Sequence, residues 1–115
     1  MRLPHATLGR VEETKITGYL LNRQHPQGAS KARLFERLGF SAHDWRHLAS
    51  ALLEHGQTHP VSAIHTSPYG TRYEVDGELK TPANRRLWIR TVWQTDINAI
   101  APRLITAYPL PRPRS

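Results

Sequence analysis

The chain has 115 residues, of which 16 are Lys or Arg and nine are Asp or Glu, so its formal net charge is +7. This length suits one small domain with a single core. No apolar run approaches the ~20 residues that span a bilayer. The lack of cysteine excludes disulfides and thiolate metal sites. We expect a cytoplasmic protein because the N-terminus has no signal-peptide pattern, and the positive charge favours a polyanionic partner over a membrane surface.

Three helices are predicted in the N-terminal half of the chain, where apolar residues recur at helical spacing. The first should run from about Glu12 to Leu21, and the second should open at Gly28 to Ser30 and stop at Gly39. Ser41 is a plausible N-cap for the third helix, which should end near His55-Gly56. Each helix would bury one apolar face.

After Gly56 the hydrophobic pattern changes to the alternation of β-strands. Strands are predicted over 61–66, 71–79, 86–95 and 103–108, with Gly- or Pro-containing connections between them. The sequence therefore predicts an α+β domain over residues 1–108, with about three N-terminal helices followed by a four-stranded antiparallel sheet. Residues 109–115 should form a mobile Pro/Arg-rich tail.

Lys31 occupies an unusual position in the second predicted helix. At about 100° per residue it falls near the middle of the apolar stripe that Leu34, Phe35 and Leu38 form. A lysine directed at a core or a cleft is costly to desolvate unless it has a partner. Two interpretations remain open: Lys31 extends past Phe35 to solvent, or it has a function.

Two histidine pairs have the i, i+4 spacing that can hold a metal on a helix. His43 and His47 should face solvent, and no third ligand is evident near them. His55 and His59 should share no helical face, because the segment after Gly56 is predicted to be a loop. We therefore expect neither a metal site nor another cofactor.

The second and third predicted helices also have the length and the turn glycine of a helix-turn-helix motif. The exposed face of the third helix would offer few side chains that read DNA bases, chiefly Arg46 among weaker donors. The basic residues cluster on or near the predicted strands instead. DNA binding through a recognition helix is therefore the less favoured interpretation.

The last two predicted strands each combine a threonine with an arginine. Strand alternation would place Thr91 beside Trp93 on one face with Arg90 on the other, and would place Thr106 beside Leu104. Threonine is also simply a good strand former, so these hydroxyls have a purely structural interpretation. A sheet that presents hydroxyls and an arginine near a Lys/His turn also suits metal-independent RNA cleavage.

In that reaction the RNA 2′-hydroxyl attacks the adjacent phosphorus, and the protein supplies a base, an acid and cationic donors. His25 would serve as base or acid, Lys31 or Arg90 would stabilise the developing charge, and Thr91 or Thr106 would donate a hydrogen bond. The candidate catalytic residues are His25, Lys31, Arg90, Thr91 and Thr106.

RNA would bind across the sheet and the turn from Gly28 to Lys31. Phosphates would meet cationic side chains and the N–H groups that begin the second helix, and Trp88 or Trp93 would stack a base unless it lies in the core. The candidate RNA-binding residues are Ser30, Arg33, Arg72, Trp93 and Arg103.

Several segments together resemble a family of small bacterial proteins of unknown function, whose members look like stand-alone proteins or C-terminal modules of polymorphic toxins. The resemblance covers nearly the whole chain and implies a toxin encoded beside a cognate neutraliser. The matching segments are Leu3 to Ala6, Lys15 to Asn22, His25-Pro26, Gly28 to Phe35, Leu38 to Phe40, Tyr69-Gly70, Tyr73, Val75, Val92-Trp93 and Pro102 to Tyr108.

The predicted order of helices and strands is also similar to the barnase–EndoU–colicin–RelE group of RNase toxins, at the level of fold alone. The leading hypothesis is a cytoplasmic, metal-independent endoribonuclease toxin of a toxin–antitoxin or toxin–immunity pair. Its partners would be RNA and an acidic antitoxin or immunity protein. The alternative is a non-catalytic, basic module that binds nucleic acid or protein.

Overall fold

The computed structural model describes residues 1–111 and confirms the predicted α+β class, with helices followed by an antiparallel sheet. The helices are α1 (Glu13–Lys15), which continues as a π-helix (Ile16–Leu20), α2 (Ala29–Arg37) and α3 (Trp45–Thr58), with short 3-10 turns at Ala6–Leu8 and Ala42–Asp44. The strands are β1 (Val61–Ser67), β2 (Gly70–Leu79), β3 (Leu87–Asp96) and β4 (Arg103–Pro109). Within the described range, no helix is long and apolar enough to cross a membrane.

The first predicted helix is interrupted by a wider turn. Its α-helical part ends after Lys15, and the N–H of Leu21 then donates to the Ile16 carbonyl five residues earlier, at 2.7 Å. This turn buries Ile16 and Leu20 completely and leaves Tyr19 half-buried at the surface. Single π-turns of this kind occur often at functional sites.

Helix α2 follows the predicted limits but places Lys31 differently. Its buried stripe consists of Ala32, Phe35 and, just after the helix, Leu38. Lys31 lies beside this stripe and is half-exposed, so the expectation of a lysine at the stripe's centre was wrong by one position. Gly39 ends the segment with φ of 98°, a left-handed conformation that glycine adopts readily.

Helix α3 is longer than predicted, because Gly56 lies inside it and does not end it. A Cβ at Gly56 would lie 2.7 Å from the indole of Trp93, so this glycine allows helix and sheet to approach closely. The expectation that His55 and His59 share no helical face was therefore wrong, and their rings lie 4.7 Å apart. Ser41 does act as a cap, but for the 3-10 turn, where its hydroxyl accepts from the N–H of His43 at 3.2 Å.

The sheet is an antiparallel meander in the order β1-β2-β3-β4, and the helices cover one of its faces. The opposite face, which we call the outward face, is polar. The core between helices and sheet contains Phe35, Leu48, Leu52, Val75, Ile89, Trp93, Leu104 and Ala107. The N–H of Leu110 still donates to the Trp88 carbonyl at 2.9 Å, so the start of the predicted tail belongs to the sheet, and 112–115 lie outside the described residues.

A β-bulge in β4 corrects the predicted faces of the last strand. Trp93 pairs with Leu104, but Val92 pairs with Thr106, so one extra residue is inserted between them. Leu104 therefore packs in the core, whereas Thr106 lies in register with outward-facing neighbours. The predicted sharing of one face by Leu104 and Thr106 was wrong, because a single inserted residue reverses the alternation.

A buried hydrogen-bond chain joins α3 to the sheet. His55 is 2% exposed, and its Nε2 lies 3.1 Å from the Gly77 carbonyl, which can only accept. In the neutral ring Nδ1 therefore accepts from the Thr91 hydroxyl at 2.9 Å, and that hydroxyl oxygen accepts from Trp93 Nε1–H at 2.8 Å. Burial favours this neutral form of His55.

The stability of the fold should depend on the ionisation of His55. Burial, with the nearby His59 ring, lowers the pKa of His55 to about 4, although the Gly77 carbonyl and Asp76 act in the opposite direction. Above pH 6.5 the His55 ring is neutral in both the folded and the unfolded state. As the pH falls below 6.5, His55 of the unfolded chain binds a proton before His55 of the folded chain does. The unfolding free energy should therefore fall by about 1.4 kcal/mol per pH unit between pH 6.5 and 4.

The non-titrating variant His55→Gln isolates this effect. Urea denaturation at pH 7.5, 6, 5 and 4 should show the stability advantage of the wild type shrinking by about 3 kcal/mol across this range. A difference between the two proteins that stays constant with pH would contradict the assignment.

Candidate active site

Three of the five predicted catalytic residues meet around the phenol of Tyr19, at the β4 edge of the sheet. The Tyr19 hydroxyl lies 3.2 Å from the Thr106 hydroxyl, and the His25 ring stands edge-on to the phenol at 4.9 Å between centroids. The ammonium groups of Lys31 and Lys15 lie 5.4 and 5.6 Å from the ring centroid. We call these five residues the Tyr19 cluster.

Local backbone structure holds the Tyr19 cluster together. The π-turn sets Tyr19 at the surface, and the turn that precedes α2 packs directly on its backbone. A Cβ at Gly28 would overlap the Tyr19 carbonyl oxygen, so only glycine permits this approach. The start of α2, with Lys31 in its first turn, is thereby fixed beside the phenol.

His25 is oriented by the turn in which it lies. Its Nδ1 accepts hydrogen bonds from the backbone N–H groups of Gln27 at 3.0 Å and Gly28 at 3.1 Å. The neutral ring therefore carries its proton on Nε2, and a proton on Nδ1 would break both bonds. His25 is thus a hydrogen-bond donor through Nε2, which makes it a poor general base.

Within residues 1–111, no carboxylate neutralises the cations of the cluster. Lys31 donates to the Gln27 carbonyl at 3.4 Å, and neither Lys31 nor Lys15 has an ion-pair partner within residues 1–111. Partial burial raises the pKa of Tyr19, but the Thr106 hydroxyl and the two ammonium groups outweigh it and lower that pKa below 10. The phenol is therefore easier to ionise than a free tyrosine.

Two of the three predicted arginines on the outward face, Arg90 and Arg103, already have carboxylate partners, whereas Arg72 donates to the amide of Gln94. Arg90 donates to Asp76 at 2.8 Å and lies 3.0 Å from Glu74, and these partners raise its pKa well above the ordinary value. Arg103 donates to Asp96 at 2.8 Å, and hydrogen bonding from Arg103 lowers the pKa of Asp96 to about 2. Their charges are compensated, so neither is free to hold a phosphate as predicted.

Thr91 and Trp93 cannot have the roles predicted for them, because both lie on the helix-covered face. Thr91 is fully buried, with its hydroxyl committed to His55 and Trp93, and Trp93 is 1% exposed. Ser30 and Arg33 are exposed on α2. The predicted site residues therefore lie in three places: in the Tyr19 cluster and the adjoining helix α2, on the outward face of the sheet, and in the core.

Sequence reasoning missed Tyr19 and Lys15 as members of the site. Tyr19 falls on the apolar face of the first predicted helix with Ile16 and Leu20, where an aromatic ring has a sufficient structural explanation. Only the π-turn and the contact with Gly28 bring its hydroxyl to Thr106, 87 positions further along the chain. Nothing in the local pattern signals that contact.

Comparison with known proteins yields one family and one fold. The family model described as Domain of unknown function (DUF6883) matches residues 2–111, and no curated protein sequence matches significantly. A solved chain from a contact-dependent growth inhibition toxin–immunity protein complex of Klebsiella pneumoniae 342 is similar, with a TM-score of 0.68 and 16% identity. The match covers 87% of this chain and 98% of that chain, and at this identity it shows a shared fold.

Proposed function

The chain belongs to the family Domain of unknown function (DUF6883), and we propose that it is a metal-independent endoribonuclease toxin acting in the cytoplasm. The Tyr19 cluster carries this proposal, because it places two uncompensated ammonium groups, a donor imidazole and two hydroxyls at one edge of the sheet. The fold shared with a chain of a toxin–immunity complex supports it. The net charge of +7 fits an RNA substrate.

The partner of such a toxin would be an acidic immunity protein or antitoxin. A protein that covers the Tyr19 cluster must complement its uncompensated positive charge, and acidic side chains do so. Expression of this chain alone should therefore arrest growth, and co-expression with an acidic neighbouring gene product should restore it.

In the proposed reaction the 2′-hydroxyl attacks the adjacent phosphorus and the bond to the 5′-oxygen breaks, which leaves a 2′,3′-cyclic phosphate. The ionised phenol of Tyr19 accepts the proton of the 2′-hydroxyl, and the Lys31 ammonium gives a proton to the leaving 5′-oxygen. Lys15 and the Nε2–H of His25 stabilise the charge on the phosphate oxygens. Exchange with water restores both proton-transfer groups.

The test is incubation of purified protein with total RNA in excess EDTA, alongside Lys31→Ala and His25→Ala. We expect the wild type to cleave RNA in EDTA and both variants to cleave it at least about 10-fold more slowly. Folded protein that binds RNA in a salt-sensitive manner but cleaves no RNA would overturn the enzyme and favour a non-catalytic binding module.

Two substitutions at His25 separate its structural role from its proposed role in catalysis. Asn places a side-chain oxygen near the position of Nδ1, so His25→Asn should keep the bonds to Gln27 and Gly28 but lose the Nε2–H donor. We expect both His25→Asn and His25→Ala to cleave RNA about 10- to 100-fold more slowly, with the melting temperature lowered in the alanine variant alone. Full activity of His25→Asn would show that His25 only holds the turn.

A further inference from the structure

A separate pocket lies at one end of the outward face, between the β1–β2 turn and the loop after β3. It has a volume of about 670 Å³. Two large side chains at its rim are unusually exposed, Tyr69 at 77% and Ile97 at 66%. Its polar lining includes His65, Arg72, Gln94 and Arg103. We call it the sheet-end pocket.

The polar floor of the sheet-end pocket is rigid. Gln94 is only 9% exposed, and its side-chain oxygen accepts from Arg72 at 2.9 Å. Its amide nitrogen donates to Asp96 at 2.7 Å, and Arg103 holds the same carboxylate at 2.8 Å. Because Arg72 only donates and the ionised Asp96 only accepts, the orientation of the amide is determined.

Among the residues that the structure describes, this network leaves the Gln94 amide with one unused lone pair and one unused N–H. The carbonyl oxygen and the N–H of one amide can form two hydrogen bonds to the edge of a nucleobase. Tyr69 provides an exposed aromatic surface at the rim, and base stacking on such rings is a main source of affinity for single-stranded RNA. Arg72 remains exposed and lies beside the amide.

We propose that the sheet-end pocket binds an unpaired RNA base next to the cleaved bond and so selects the cleavage site. This inference rests on the proposed ribonuclease function and deepens it. The base stacks on Tyr69, its edge meets the Gln94 amide, and Arg72 contacts the adjoining phosphate. Arg103 pairs with Gln94 and Thr106 pairs with Val92, so the bulged strand β4 holds Arg103 and Thr106 about 7 Å apart, and one RNA strand can reach both sites.

Binding of mononucleotides tests this inference without any cleavable bond. Backbone amide signals are followed by NMR while each of the four nucleoside 5′-monophosphates is added, with ribose 5-phosphate as the control that lacks a base. We expect base-dependent shifts at Tyr69, Arg72 and Ile97. Tyr69→Ala should weaken binding at least five-fold, and Tyr69→Phe, which keeps the ring, should bind as the wild type does.

Equal shifts with ribose 5-phosphate, or base-dependent shifts confined to the Tyr19 cluster, would overturn the inference. The results also distinguish failure of this inference from failure of the proposed function. If the protein cleaves RNA but the sheet-end pocket shows no base-dependent NMR shifts, this inference is wrong and the proposed function stands. If the pocket binds bases but the protein cleaves no RNA, the proposed ribonuclease function is wrong, and the role of the pocket in site selection is wrong with it.

Discussion

Lys31→Ala is expected to reduce RNA cleavage at least about 100-fold while the protein stays folded. The Lys31 ammonium lies over Tyr19, has no carboxylate partner in the described chain, and is assigned to protonate the leaving oxygen. Replacing Lys31 removes both the proton donor for the leaving oxygen and one positive charge that stabilises the transition state. Single-turnover cleavage of a short RNA, with circular dichroism to confirm folding, measures the effect.

Arg37→Ala is the matched control for charge. Arg37 is exposed at the other end of the same helix, away from the Tyr19 cluster, and its removal costs one positive charge. It should lower activity only a few-fold, by weakening RNA attraction. If Lys31→Ala and Arg37→Ala lose equal activity, Lys31 contributes only to bulk charge and the assigned role is wrong.

Trp93→Ala is expected to cost about 3–5 kcal/mol of unfolding free energy. The indole is buried between Gly56 and the sheet, and its N–H donates to Thr91 within the buried chain to His55. Alanine would leave a large cavity there and remove the N–H that donates to the Thr91 hydroxyl oxygen. Urea denaturation at pH 7.5 gives the magnitude.

A second substitution separates packing from base stacking at this position. Trp93→Phe keeps an aromatic ring and loses the N–H, so its expected cost is smaller, about 1–3 kcal/mol. Retained stability in Trp93→Ala together with a loss of RNA affinity would restore the prediction that this residue stacks a base. The burial of Trp93 argues for the opposite result.

The fold was largely predictable because its elements follow local patterns. Helix α2 ends just before Gly39, and the four strands follow from alternation between Gly- and Pro-containing turns. The errors occur where one residue acts through a distant contact. Gly56 reads as a helix end from its neighbours alone, but in the folded chain it makes room for Trp93.

The candidate site was predictable only in part. His25 and Lys31 could be predicted as candidates because they lie in one turn and the helix start that follows it. Thr106 could be predicted because it lies in the last strand. Arg90 was assigned to phosphate because the sequence does not reveal that Asp76 and Glu74 lie beside it in the sheet. Tyr19 was missed because its role depends on a π-turn, a class of structure too rare to predict from periodicity.

In the proposed mechanism the RNA's own 2′-hydroxyl is the nucleophile, and the Tyr19 cluster activates it without a metal ion. The most direct measurement is cleavage, in EDTA, of an RNA oligonucleotide whose cut site has been mapped, compared with the same oligonucleotide carrying one 2′-deoxyribose at that site. We expect a 2′,3′-cyclic phosphate end from the first oligonucleotide and no cut at the modified position of the second. Cleavage at the deoxyribose, or a 3′-hydroxyl end that forms only when metal is present, would contradict this mechanism.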